Sequence, residues 1–315
     1  KLLNKCHIYL FILLFCNKLG IKVSKLYIDK CPICGQSQFE KVMTCTDHYA
    51  TGESFDLCRC TNCNFLFTQN APVESEIGRY YESPDYISHS DTHKGLMNSV
   101  YHKVRKYMLS EKAKLVGKSS NLTSGRILDI GTGTGYFADK MKREGWQVSA
   151  IEKSPQAREF AKEHFGIKVN PPEDLFTIKD KTFDVITLWH VMEHLEQLNR
   201  TWETLGKILK DSGALIIAVP NAASYDAEKY KNMWAAYDVP RHLWHFTPTT
   251  IKKIASKHGF VMTERYPMPF DAFYVSMLSE KYMKRSNTFV RGLLTGAKAC
   301  LLYTSPSPRD RSLSR

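Results

Sequence analysis

The chain has 315 residues, 43% hydrophobic and 24% charged, with a formal charge of +12; this ordinary globular mixture buries one large domain or two smaller ones. The charge gathers at the ends. Residues 1–25 carry five Lys and no acid and residues 301–315 three Arg and one Asp, which leaves +5 on residues 26–300. The charge is therefore no nucleic-acid footprint by itself, and nucleic acid is not an expected partner.

Residues 1–25 are expected to be a leader or an upstream translated segment. Their apolar run, Ile8 to Cys16, is nine residues long, while a membrane span needs about 20. Lys1 and Lys5 precede the run as in a signal peptide, but no small-x-small cleavage site follows. No membrane contact is expected, and a cytoplasmic location is.

Residues 26–67 read as a zinc-ribbon-like domain. "CPIC" (Cys31, Cys34) and "CTNC" (Cys60, Cys63) form two Cys-x-x-Cys hooks separated by 25 residues. Each hook presents two thiolates from one turn, and two hooks close a tetrahedral Cys₄ site for structural zinc. Cys58 competes as a ligand, but Cys60 and Cys63 keep the two-residue spacing. The alternative is a pair of disulfides in an exported protein; the nine cysteines, an odd count, speak against it.

Residues 68–124 read as a helical linker or cap. Tyr80, Tyr81 and Tyr86 either line a pocket or pack under the linker. Leu96, Val100, Val104, Met108, Leu109 and Leu115 recur at helical spacing.

From residue 125 to about 290 strands and helices alternate. "GRILDI", "WQVSAIE", "FDVITLWHV" and "ALIIAVPN" are the strands; "YFADKMKREG", "SPQAREFAKEHFG" and "LNRTWETLGKILKDSG" are the helices. Ser154 is the N-cap, Pro155 the first turn and Gly166 the stop of the second helix. The alternation predicts a doubly wound, Rossmann-like α/β sheet with its ligand outside the carboxyl ends of the strands. Asp129, Glu152, His190 and Asn221 all fall at such ends.

"LDIGTGTGYF" (128–137) carries Gly131, Gly133 and Gly135 behind Asp129. A dinucleotide loop wants its third glycine at 136, where Tyr136 stands, and no phosphate-loop Gly-Lys-Ser/Thr follows. A carboxylate in front of the loop suits a cofactor with an ammonium and a sulfonium and no phosphate, which describes S-adenosylmethionine (SAM). Glu152 ends the second strand, where a carboxylate grips a ribose diol.

"ILDIGTGTGYF", "VSAIEKS", "FDVITLWHVMEHL" and "GALIIAVPN" together resemble the successive motifs of class I SAM-dependent methyltransferases, over residues 125 to about 265. With the cysteine pairs ahead and "PRHLWHFTPTTIKKIASKHGF" behind, the chain is similar to a zinc-ribbon-bearing branch whose core is of the ubiquinone O-methyltransferase type. The resemblance implies a seven-stranded sheet and a SAM site built by Asp129, Gly131, Thr132, Gly133, Gly135, Glu152, Trp189 and His190. It also implies an adenine-side acid near Glu173 or Asp174, where the spacing matches poorly.

Methyl transfer to a hydroxyl needs alignment and a proton acceptor. The candidate bases are His194, His242 and His245, with His190 nearby. "HVMEH" is not a His-Glu-x-x-His metal helix, because its Glu is misplaced. The expected activity is methylation of a small-molecule or sugar-like acceptor, at oxygen. The alternatives are a zinc-finger RNA methyltransferase and a non-catalytic SAM-binding scaffold. Residues 300–315, rich in Ser, Pro and Arg, are expected to be an artefactual or disordered tail.

Overall fold

The computed structural model describes residues 24–82 and 96–304. Most of the expected leader, Tyr86 and all but the first residues of the expected tail lie outside them.

The centre is a parallel sheet of five strands: β6 (Arg126–Ile130), β7 (Gln147–Ile151), β8 (Val169–Asn170), β9 (Phe183–Trp189) and β10 (Leu209–Ala218), in the order β10-β9-β6-β7-β8. Alternate residues serve opposite faces. Ile127 and Val185 pack with Ala113 and Val116 of α1 (Leu96–Ser120) and Phe137 and Met141 of α2 (Tyr136–Arg143). Leu128 and Ile186 pack with Trp202 and Leu205 of α4 (Leu198–Ile208) and Ile254 of α6 (Pro248–Lys257). Helices on both faces make the sheet doubly wound. On its edge, α3 (Pro155–Phe165) follows the sequence closely: the Ser154 hydroxyl accepts from Ala157 N–H, and Gly166 closes the helix at φ 60°.

Two expectations change. The helix read over 198–213 stops at Ile208, because Leu209 already pairs with Phe183 of β9 across a register shift before Ala214. The implied seven strands become five among the described residues. Residues 260–268 form no strand, and the last strand formers of the core, Trp244–His245 (β11), join a different sheet.

That other sheet belongs to the cysteine-rich segment. The strands β2 (Phe39–Thr46), β3 (Ser54–Cys60) and β4 (Leu66–Gln69) run antiparallel, and β11 pairs beside β4. Two short strands, β1 (Lys25–Leu26) and β5 (Ala71–Pro72), pair separately. The stitch is dense. Thr68 N–H donates to Leu243 O at 2.9 Å and its hydroxyl to His242 O at 2.7 Å. Arg241 is buried between Asp238 and Asp47, 2.6 and 3.0 Å from their carboxylates, and also donates to Tyr80 O. Phe65 stacks on Trp244, and Cys31, Phe65, Phe67, Leu188 and Trp202 share one core.

Candidate functional site

The glycine loop leaves β6 and rests on the end of β7: Gly131 N–H and Thr132 N–H both donate to Ile151 O, at 2.8 and 3.1 Å. Its three glycines have φ of 71°, 55° and 84°, the left-handed region that only glycine enters freely. A Cβ on Gly131 would strike Val191, and one on Gly135 would lie 2.8 Å from Ala161. A Cβ on Gly133 meets nothing within 4 Å, so its bare face borders open space.

Acids flank the loop. Asp129 is buried and accepts from Thr187 Oγ1 at 2.7 Å; burial pushes it up to about 6 against that hydroxyl. Glu152 accepts from Gly133 N–H at 2.8 Å and Ser154 N–H at 2.9 Å, which pins one edge of the loop. The Thr132 hydroxyl helps Thr187 to hold the charge of Asp129, while the indole N–H of Trp189 is buried without a hydrogen-bond partner among the described residues. An unpaired buried donor near an open glycine fits a polar ligand at this place. Glu173 is exposed and Asp174 half-buried in the turn after β8.

His190 follows β9 in a left-handed turn, φ 58°, so His190 and His194 do not share a helix face. Its Nε2 lies 2.9 Å from Asp271 of α7 (Pro269–Tyr282) and its Nδ1 3.5 Å from Glu193. Burial opposes its charge, but these two carboxylates win and raise it to about 9. Lys112 of α1 lies 4.5 Å over the Trp189 ring; burial lowers its value, while Asp129 and Asp271 oppose that shift.

Behind His190 lies a second cluster. Glu193 is fully buried, and His190 Nδ1, 3.5 Å from its Oε1, is its near cation. Burial opposes its ionisation, yet the imidazoles of His190, His242 and His194 hold it below the ordinary carboxylate range. His194 donates through Nδ1 to Arg241 O at 3.0 Å, and His242 through Nδ1 to Ala236 O at 2.9 Å. The ligand atoms of Glu193, His194 and His242 lie within 4.8 Å of one another, a donor set open to a cation. Burial pushes His194 down to about 4.

His245 stands apart from these histidines. It is buried in the ribbon sheet, its Nε2 is 2.9 Å from Thr68 Oγ1, and burial pushes it down to about 3. Its bonding is that of a stitch between ribbon and core. Asp271, Glu193 and Lys112 were missed in the sequence. Only Glu193 lay inside a quoted motif, and nothing local marks the other two.

The four predicted cysteines converge. Cys31 Sγ is 3.4 Å from Cys63 Sγ and Cys34 Sγ 3.5 Å from Cys60 Sγ, with all four thiols within 4.8 Å of one another. These gaps exceed the roughly 2.05 Å of a disulfide and approach the roughly 3.8 Å edge of a tetrahedron with bonds of about 2.3 Å. The hooks are alike: Gly35 and Asn64 follow them with φ of 76° and 63°. Burial raises Cys63 to about 11, whereas hydrogen bonds from Asn62 and Gln36 overcome burial and lower Cys34 to about 6. Cys58 is outside the group.

The family described as "Methyltransferase domain" matches residues 100–265, more than half of the chain. The chain belongs to that family. It carries a class I SAM-dependent methyltransferase domain. The ubiquinone biosynthesis O-methyltransferase of Xanthomonas oryzae pv. oryzae is 29% identical over 108 residues, 32% of this chain and 45% of that protein. The mitochondrial ubiquinone biosynthesis O-methyltransferase of Schizosaccharomyces pombe is 35% identical over 112 residues, 33% of this chain and 41% of that protein. The chain thus spans less than half the length of these curated relatives. Among solved structures, a SAM-dependent methyltransferase of Thermotoga maritima, a possible histamine N-methyltransferase, is 23% identical with a TM-score of 0.39, over 52% of this chain and 78% of that one. Magnesium protoporphyrin IX methyltransferase of Synechocystis with bound SAH is 16% identical with a TM-score of 0.45, over 61% and 91%.

Proposed function

We propose that this protein methylates a hydroxyl of a small-molecule acceptor with SAM, and that His190 receives the acceptor proton. The observation that carries the reading is the pair of carboxylates, Asp129 and Glu152, set against a glycine loop whose central residue faces open space. Negative charge there repels a pyrophosphate and attracts a cationic cofactor. SAM supplies a methyl group on a sulfonium. Gly131, Thr132, Gly133 and Gly135 would border it, Glu152 would take the ribose hydroxyls, and Trp189 would offer its unpaired N–H.

His190 is the histidine next to the loop's packing partner: its neighbour Val191 lies against Gly131. Asp271 orients the ring through Nε2, as a third group does in other base-assisted sites. A histidine held near 9 is protonated at neutral pH, so it must release that proton to solvent before it can receive the acceptor's; a cationic cofactor at the loop would favour that release by lowering its value. Oxygen as the methylated atom agrees with the O-methyltransferase relatives.

Cys31, Cys34, Cys60 and Cys63 would hold a structural zinc ion, which requires reduced thiols and therefore a reducing compartment such as the cytoplasm. Calorimetric titration of SAM into the whole chain, with NAD as control, tests the cofactor. Micromolar SAM binding that Glu152→Ala abolishes, with none for NAD, supports the reading. A folded, zinc-loaded protein that binds no SAM refutes it.

A further inference from the structure

The helical hairpin of α7 and α8 (Thr288–Thr304) buries an unusually polar face. Toward the rest of the molecule it buries Ser276, Ser279, Glu280 and Thr295. Ala235 N–H donates to Ser279 Oγ and Tyr230 OH to Glu280 Oε1, both at 2.9 Å. The two helices meet through Gly292 and Gly296; a Cβ on either would come within 2.5 Å of Met277 or 2.6 Å of Phe273. Small residues four apart let helix backbones approach closely without a hydrophobic interior between them.

Val275 and Met283 pack inward and Ala299 is buried, but the largest apolar side chains of α8 point outward. Phe289 and Leu294 are 63% and 68% exposed, with Val290, Leu293 and Tyr274 beside them. A contiguous exposed patch of this kind marks an interaction surface. Its charge is one-sided. Lys281, Lys284, Arg285, Arg291 and Lys298 are all exposed, while the hairpin's two acids turn inward, Asp271 to His190 and Glu280 into the core.

We propose that the α7–α8 hairpin docks the protein on an anionic lipid surface. Exposed apolar side chains with exposed basic ones on the same hairpin are what such a surface takes up. No helix among the described residues is long and apolar enough to cross a membrane, so the hairpin lies on the surface. A second copy of this chain is a poor occupant, because it would bring the same basic side chains against itself. The sequence reading expected no membrane contact; the polar buried face is visible only once the fold is known. The inference is independent of the proposed chemistry.

The test is co-sedimentation of the whole chain with vesicles of phosphatidylcholine alone and of phosphatidylcholine with phosphatidylglycerol. The expected result is binding to the anionic vesicles that high salt weakens. Lys284→Gln/Arg291→Gln should lower it at least about tenfold, and Leu293→Ser/Leu294→Ser should lower it similarly, with far-UV circular dichroism unchanged. Every substituted side chain is exposed, so folding should persist. Failure to bind anionic vesicles overturns the proposal. So does undiminished binding by both variants, which would assign the contact to another segment. A dimer in sedimentation velocity that Leu294→Ser converts to monomer would give the face to a second copy and equally overturn it.

Discussion

The cofactor end and the histidine end of the site are assembled in opposite ways. Around the glycine loop the parts are contiguous: Asp129 through Gly135 is one turn, and Glu152 is the end of the neighbouring strand. At the histidine end His190 depends on Asp271 from α7, and His194 and His242 are joined by the segment that also pairs with the ribbon. A loop that must bind one invariant cofactor can be local. A surface that must fit an acceptor is built from whatever the cap, the ribbon and the last helices bring.

The sharpest way to break the comparison is His190→Gln. With a phenolic probe such as catechol, release of S-adenosylhomocysteine should fall about 10²–10⁴-fold, the range for loss of a general base, with SAM affinity within a few-fold. Equal loss of both would place His190 in cofactor binding instead. Next comes the join between ribbon and core. Arg241→Ala leaves Asp47 and Asp238 without their buried partner, and unfolding by urea should show about 3–5 kcal/mol lost in one transition. Two separate transitions would mean that the ribbon folds by itself.

The same contrast explains what was legible in the sequence. The capped helix from Pro155 to Phe165, the glycine loop and the two cysteine hooks are set by residues within one turn of each other, so their spacing alone reveals them. Among the described residues the sheet has five strands and not the seven the resemblance implies, and β11 can be assigned to the ribbon sheet only through a partner, Leu66–Phe67, far back in the chain. Asp271 was invisible for the same reason: an acid near the start of a helix reads as a favourable first-turn residue, and only the fold brings it to His190. The polar buried face of α7 likewise runs against the rule that buried residues are apolar.

Within the cofactor end, the glycines can be separated. Gly131 and Gly135 face protein atoms, whereas Gly133 faces open space. Gly133→Ala should therefore cost the unliganded protein only the left-handed backbone penalty, about 1–2 kcal/mol. It should weaken SAM by more than that stability loss predicts, because the new methyl group stands where the cofactor is expected. Unchanged SAM affinity in calorimetry would move the cofactor away from the loop.

The smallest effect is a pH dependence that isolates His190. Its value is raised from 6.5 to about 9 in the folded protein, so the protonated ring favours the folded state. That contribution is complete below about 6.5 and is lost as pH rises through about 9. Asp129, raised to about 6, and His194, lowered to about 4 from 6.5, titrate at or below the lower edge of this window and are common to wild type and variant. Cys34, lowered from 9 to about 6, acts in the same window with the opposite sign, its share growing as pH rises. The melting temperature of the wild type alone is thus ambiguous, and the difference from His190→Gln is the quantity to read. That difference should shrink steadily between about pH 6.5 and 9 if Asp271 and Glu193 hold the imidazolium as the geometry shows. A difference that stays flat across the window would mean that His190 is neutral at rest, so that Asp271 and Glu193 do not hold an imidazolium and the ring can accept a proton without first losing one.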